Sequence, residues 1–227
     1  RNKRVNSVYG TATLSYANKI FLDVTGRNDW SSTLPSGNNS FFYPSVSTSF
    51  ILSDLLRLPE QISFAKLRAS WAQVGNDTDP YKTAKYYNTS AFPGSASVSP
   101  TLYNARFKPE ISNSIEVGLD WRMFKQRLGL DLAFYNNITR NQILDVPMDQ
   151  TTGYTKATMN SGKVRNRGIE LQLDGTPVKT KNFTWNSTFT WAKNYNKVLS
   201  LAAGLTDGQT IAYTGGTNCA LIAKVGG

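Results

Sequence analysis

The sequence predicts an all-β fold: an antiparallel, up-and-down transmembrane β-barrel, with about eight strands present in these 227 residues. Three observations predict it. Eight stretches alternate apolar and polar residues with period two, so that successive side chains take opposite faces and one face is oily while the other is wet. The links between the stretches alternate short and long, as expected when one set of turns faces a periplasm and the other the exterior. No apolar run approaches the roughly 18 residues of a spanning helix, and a barrel does not need one, because its spans are carried by alternation.

The elements follow in order. Val8, Gly10, Ala12, Leu14 and Tyr16 alternate with Tyr9, Thr11, Thr13 and Ser15, and a tight turn at Ala17-Asn18-Lys19 leads to Ile20, Leu22 and Val24. A long polar loop from Asp29 to Phe42 separates these from a weaker third stretch, Val46, Thr48 and Phe50. Asp54, Leu55, Leu56 and the stop at Pro59 suggest one short helical turn. Ala65, Leu67, Ala69 and Trp71 then oppose Lys66, Arg68 and Ser70. The longest loop, Gly75 to Glu110, carries Pro80, Pro93, Pro100 and Pro109 and is expected to form no ladder, since proline lacks the donor.

The fifth stretch is the clearest. Ile115, Val117, Leu119 and Trp121 point one way, and Glu116, Gly118, Asp120 and Arg122 the other. Lys125-Gln126-Arg127 turns the chain into Leu128, Leu130, Leu132 and Phe134, followed by a loop from about Asp145 to Gly162. Ile169, Leu171 and Leu173 form the seventh stretch; after a turn at Pro177 to Asn182, Trp185, Phe189 and Trp191 form the eighth. Trp71, Trp121, Trp185 and Trp191 all fall on the apolar face, where an amphipathic ring suits the headgroup level. Alternation alone fits a second architecture, the soluble two-sheet sandwich, with the same tryptophans in its core.

Composition narrows the function classes. Hydrophobic content of 40% with 12% aromatic and 18% charged residues excludes disorder. The net charge of +10 invites a nucleic-acid reading, but the cations are dispersed and share strand faces with Asp23, Glu116, Asp120 and Glu170, so no nucleic-acid partner is expected. The sequence has no histidine, which removes Ser-His-Asp and Cys-His systems and most zinc sites, and its lone Cys219 forms no internal bridge. Glu116 and Asp120, like Glu170 and Asp174, lie two pleats apart, roughly 13 Å between Cα atoms, beyond the ~5 to 9.5 Å of glycosidase pairs. Asp23, Asp29 and Asp77 lack the spacing of a calcium loop, and Gly215-Gly216 and Gly226-Gly227 read as loop rather than as phosphate cradles. Neither catalysis nor a cofactor is expected.

Local wording supplies a resemblance. Phe42-Tyr43-Pro44-Ser45-Val46-Ser47, then Lys66-Leu67-Arg68-Ala69-Ser70-Trp71 running to Gly75-Asn76-Asp77, is similar to the barrel of SusC/RagA-type TonB-dependent transporters. Leu22-Asp23-Val24-Thr25-Gly26-Arg27-Asn28-Asp29, Lys108-Pro109-Glu110 before Ser114 to Asp120, and Asn166-Arg167-Gly168-Ile169-Glu170-Leu171 fit the same pattern, in family order across residues 10 to 195. In turn chemistry, Pro44 is expected to cap a strand start, and Gly75 and Asn76 to take positive φ where a strand breaks into a loop.

The resemblance implies a portion of a larger, plugged barrel in the outer membrane of a diderm bacterium, with residues 1–227 all within that barrel and the plug and closing strand outside this chain. It also implies import of a large solute such as an oligosaccharide or peptide, a SusD-like surface lipoprotein as partner, and energy delivered by TonB through the plug. The lumen-facing candidates for contact with solute or plug are Arg68, Glu116, Asp120 and Arg122. The competing reading is a soluble sandwich that binds carbohydrate through Tyr86, Tyr87, Phe92 and Tyr103.

Overall fold

In the computed structural model, which describes residues 2–89, 92, 94–201, 209–214 and 219–226 (backbone alone for 209–214 and 219–223), eight long strands form one antiparallel sheet. They are β1 (Val5–Tyr16), β2 (Ile20–Ser31), β3 (Ser40–Ile51), β4 (Ile62–Asn76), β5 (Glu110–Met123), β6 (Leu128–Arg140), β7 (Lys163–Lys179) and β8 (Thr184–Ser200). Spatial order follows chain order without a crossover. All eight alternating stretches are strands, and each extends beyond its clearest alternation.

One end of the sheet is tightly turned. Ala17 and Asn18 take left-handed φ and Lys19 N–H donates to the Tyr16 carbonyl, closing the first hairpin. Phe124, Lys125 and Gln126, all with positive φ, close the third, and Thr180 with Phe183 closes the fourth. The helical turn Leu52–Leu55 and the following loop join β3 to β4 at this end.

The opposite end carries the long connections, with several corrections to expectation. The loop after β2 is shorter than the sequence suggests, because the β2–β3 ladder runs up to Trp30↔Ser40. Short ladders form inside the proline-bearing loop: Tyr87–Thr89 pairs with Ala96–Val98, and Thr101–Leu102 joins Lys156–Asn160, which in turn pairs with Ile143–Pro147. Pro80, Pro100 and Pro109 stay out of these ladders, so proline punctuated the loop without emptying it. Residue 93 and Gly215-Gly216 lie outside the described residues. At the turned end, Pro177 falls within β7 at a bulge between Gly175 and Val178, so that turn starts later than predicted.

Two glycine and proline readings also change. Gly75 and Asn76 do not break the strand; they pair with Ile111 and Glu110 inside the β4–β5 ladder. The reason for a glycine there is steric rather than conformational: the Tyr43 ring occupies the space a Cβ would need. Pro44 sits four residues into β3, opposite Gly26, just beyond Ser45↔Ala72, where the β3–β4 ladder ends. Its missing donor falls where one flank of β3 has parted from its neighbour.

Register fixes the two faces. Phe50, Leu67, Leu119, Leu132, Leu171 and Trp191 form one continuous cross-strand row, with Ala69, Val117, Phe134 and Ile169 in the row beside it. This face lies open: Val117 is 42% and Phe189 56% exposed. A sandwich would cover it with a second sheet, and none does among the described residues. The small buried core sits instead at the loop end, where Leu34, Phe41 and Phe107 pack together with Tyr43 and Ile143 against them.

Candidate functional site

The polar face opposite the leucine row gathers charges that lie far apart in sequence. Arg68 on β4 reaches across β5 to β6, where Nη2 and Nη1 donate to the two carboxylate oxygens of Asp131 at 2.9 and 3.2 Å. Its Nε lies 3.8 Å from Glu116 Oε1. Arg122 Nε donates to Asp120 Oδ1 at 2.8 Å, and its Nη1 lies 3.7 Å from Asp174 Oδ2 on β7. Asp174 also accepts from Gln172 and Thr188, each at 2.9 Å. All four predicted residues, Arg68, Glu116, Asp120 and Arg122, thus share this face, in two arginine-centred clusters.

Glycines make the reach possible. Gly118 is the cross-strand partner of Arg68, and a Cβ there would meet the guanidinium, with Cζ 2.7 Å away. Gly129 is the partner of Arg122, whose Nη1 would lie 2.5 Å from a Cβ. Gly168 opposes Tyr135 in the same way, with the phenol oxygen at 2.5 Å. In three successive ladders a missing side chain lets a long polar one lie flat across the neighbouring strand. Asp120 directly opposes Asp131, and each carboxylate is paired with a different arginine, which offsets the repulsion of like charges facing across a ladder.

Arg68, Asp131, Ala133, Glu170, Gln172 and Thr190 line a concavity of about 370 Å³ on this face. Sequence reasoning missed Asp131 and Asp174 as members of the network. Their signal was available: both share the parity of the wet face, and both are reached over a glycine.

The loop end offers a second polar surface. Tyr86 and Tyr103 stack with ring centroids 5.5 Å apart and their hydroxyls 3.0 Å from each other. That bond and the hydroxyls of Ser99 and Thr101 hold the Tyr103 phenol below its ordinary pKa, against a smaller opposing effect of burial. Tyr87 and Phe92 stand open at 72% and 78% exposure, and Lys85 lies over the Tyr154 ring at 5.8 Å. The aromatics singled out in the sequence therefore belong to the long loops, where Tyr86 and Tyr103 are brought into contact. Just past the end of β4, Asp77 accepts from Lys3, Ser31 and Thr33. Burial pushes the Asp77 carboxyl up, but these donors together hold it below the usual carboxylate range.

Comparison with known proteins agrees with this architecture. The family model of the TonB dependent receptor-like β-barrel matches residues 1–218. The chain is 33% identical over 207 residues to TonB-dependent receptor P26 of Formosa agariphila and 25% identical over 219 residues to TonB-dependent receptor SusC of Bacteroides thetaiotaomicron. Each match covers 87% of this chain and 21% of the relative, so the chain spans about a fifth of the length of these proteins. Among solved structures, the RagAB peptide transporter superposes with a TM-score of 0.88 at 23% identity over 99% of this chain and 25% of its own. The siderophore receptor PirA from Pseudomonas aeruginosa shares the fold more loosely, with a TM-score of 0.59 at 16% identity over 86% of this chain and 37% of its own. A meander of two-faced strands, turned tightly at one end and looped at the other, with arginine clusters on the wet side, is here part of an outer-membrane β-barrel, and the chain belongs to the TonB-dependent receptor family, of SusC/RagA type.

Proposed function

We propose that the protein to which this barrel portion belongs imports a large solute, an oligosaccharide or a peptide, across the outer membrane, with the polar face lining the solute path or bearing on the plug. The observation that carries this reading is the charged network of Arg68, Glu116, Asp120, Arg122, Asp131 and Asp174 on the face opposite the apolar row. A barrel that merely spanned the membrane needs a wet interior but not two guanidinium groups bridging three strands. Resemblance to SusC and to the RagAB peptide transporter supports a solute of that size, a SusD-like lipoprotein at the loop end, and energy from TonB delivered through a plug. The exposed loop aromatics suit either class of solute, since rings stack on sugar faces and on peptide side chains alike.

The roles of Arg68, Glu116 and Arg122 are tested together in the native full-length protein. The combined Arg68→Gln, Glu116→Gln, Arg122→Gln variant is expected to reach the cell surface at wild-type abundance and to slow growth on the imported nutrient, in a screen of defined oligosaccharides and oligopeptides. Unchanged uptake at equal abundance would reduce these positions to hydrating filler. The loops would then be the remaining candidates for specificity.

A further inference from the structure

The outward face changes character above the apolar band. From Ile169 up β7, the residues of lipid-facing parity are Arg167, Arg165 and Lys163; their cross-strand partners include Lys197 beside Arg165 on β8 and Arg140 beside Lys163 on β6, while Lys193 opposes Ile169 one rung lower. Arg165 faces Lys197, and Lys163 faces Arg140, so like charges meet directly across two ladder rungs, an arrangement that costs stability unless an anion intervenes. Among the described residues the strands supply none on this side. Every carboxylate of β5 to β7, from Glu110 to Asp174, has the opposite parity. Among the described residues none of these six cations forms an ion pair, and the Arg165 Nε hydrogen is buried without an acceptor.

Height identifies what the cluster meets. From Ile169 to Val178 the apolar side of β7 runs about 30 Å along the strand at ~3.3 Å per residue, or roughly 23 Å across the membrane at the usual barrel tilt, close to the ~25 Å apolar band of such barrels. The cations begin where that band ends, on the side of the long loops, which is the outer leaflet of the outer membrane. Arg167, Lys193 and Lys197 are exposed there, with Lys197 leaning toward Gly226 and Lys193 over the Tyr195 ring at 5.1 Å. Arg165 and Arg167 have both flanking strands within this chain, so their neighbours on either side are defined.

We propose that this face is a docking surface for the phosphorylated headgroup of an outer-leaflet glycolipid. Guanidinium groups bind phosphate oxygens in pairs, and the lysines add point charges around them. The acyl chains of the same lipid would descend across the apolar band below the cations, over Ile169, Leu171 and Leu173 and their cross-strand neighbours, so one molecule satisfies the unbalanced cations and the open apolar surface together. A free phosphate matches only the first of these, and an acidic protein partner would have to leave the apolar row uncovered at the same height.

The test uses the native full-length protein in zwitterionic nanodiscs, titrated with phosphorylated lipid A, with the same lipid after enzymatic removal of phosphate, and with inorganic phosphate. Phosphorylated lipid A is expected to bind with the highest affinity. The Lys163→Gln, Arg165→Gln, Arg167→Gln variant should weaken that binding roughly a hundredfold, about fivefold per surface cation. Arg68→Gln, on the opposite face, should leave it unchanged. Equal affinity for the dephosphorylated lipid, or full competition by inorganic phosphate at matched concentration, would overturn the proposal. So would a triple variant that keeps its lipid affinity but loses a co-purifying surface lipoprotein, which would assign the face to a protein partner. The proposal rests on the outward face meeting lipid and not on the solute. Loss of lipid selectivity with uptake intact counts against it alone, whereas loss of uptake with lipid binding intact counts against the role given to the polar face alone.

Discussion

At the residue scale, one position decides between two faces. Leu119 lies in the middle of the apolar row and Asp120, its neighbour in sequence, lies against Arg122 on the other side. An arginine at the midplane of a barrel's lipid face costs about 2 to 4 kcal/mol, and one in a wet interior costs little. Leu119→Arg should therefore cut the amount of heat-modifiable, folded protein in outer membranes far more than Asp120→Arg. Equal yields of the two variants would cancel the facial assignment. Gly118 offers a subtler probe. Gly118→Val places a side chain where the Arg68 guanidinium crosses, so Arg68 must leave Asp131. Because ion pairs between partly exposed groups are worth about 0 to 1 kcal/mol, folding should survive while uptake falls as in Arg68→Gln, and combining the two substitutions should add nothing to the loss.

At the scale of elements, the strands were legible in the sequence and the loops were not. Alternation located all eight strands because each has one face in lipid and one in water, and period two is the direct imprint of that division. The loop ladders near Tyr87 and Lys156 escaped because they are two to five residues long and owe their pairing to tertiary contact rather than to alternation. The same holds for the site: parity showed Arg68, Glu116, Asp120 and Arg122 on one face, but only register brings Asp131 and Asp174 within reach, and register is not written in any one strand.

The loop-end core is the element most open to a separate test. Phe107 is fully buried against Leu34 and Phe41. Phe107→Ala should cost about 3 to 5 kcal/mol within that cluster, which meets the main sheet through Phe41 and Tyr43 at the loop end of β3. The expected result is rapid protease cleavage in the 77–109 loop of surface-exposed protein with the barrel strands still resistant. Simultaneous loss of strand protection would mean that the core and the sheet form one cooperative unit.

For the whole molecule, topology and acidity give two further outcomes. An impermeant label applied to intact cells should reach cysteines placed at Tyr87 or Thr151, while one placed at Gln126 reacts only after the envelope is opened, since these sites lie at opposite ends of the sheet. The reverse pattern would invert the orientation. Asp77 ties the start of β1 and the loop after β2 to the end of β4, through Lys3, Ser31 and Thr33. Its folded-state pKa lies below the ordinary value of 3.8, so its contribution is complete above that value and lost as pH falls through the lower, folded one. Hydrogen exchange at Ser31 to Thr33 should accelerate below about pH 4 in the wild type and show no such step in Asp77→Asn.

The pairing of a glycine with a long side chain in three successive ladders bears on how such a sheet comes to be made. Hairpins that join in chain order can align correctly or slip, and a slip of two residues preserves the oily and wet faces, so the membrane itself cannot detect it. Steric fit can. A two-residue slip of β5 against β4 would set Glu116 or Asp120 beneath Arg68 in place of Gly118, and comparable slips would put filled positions under Arg122 and Tyr135. The glycines therefore favour the native register, since with a filled position beneath it the long side chain no longer lies flat across the neighbouring strand, a distinction that hydrophobicity does not make.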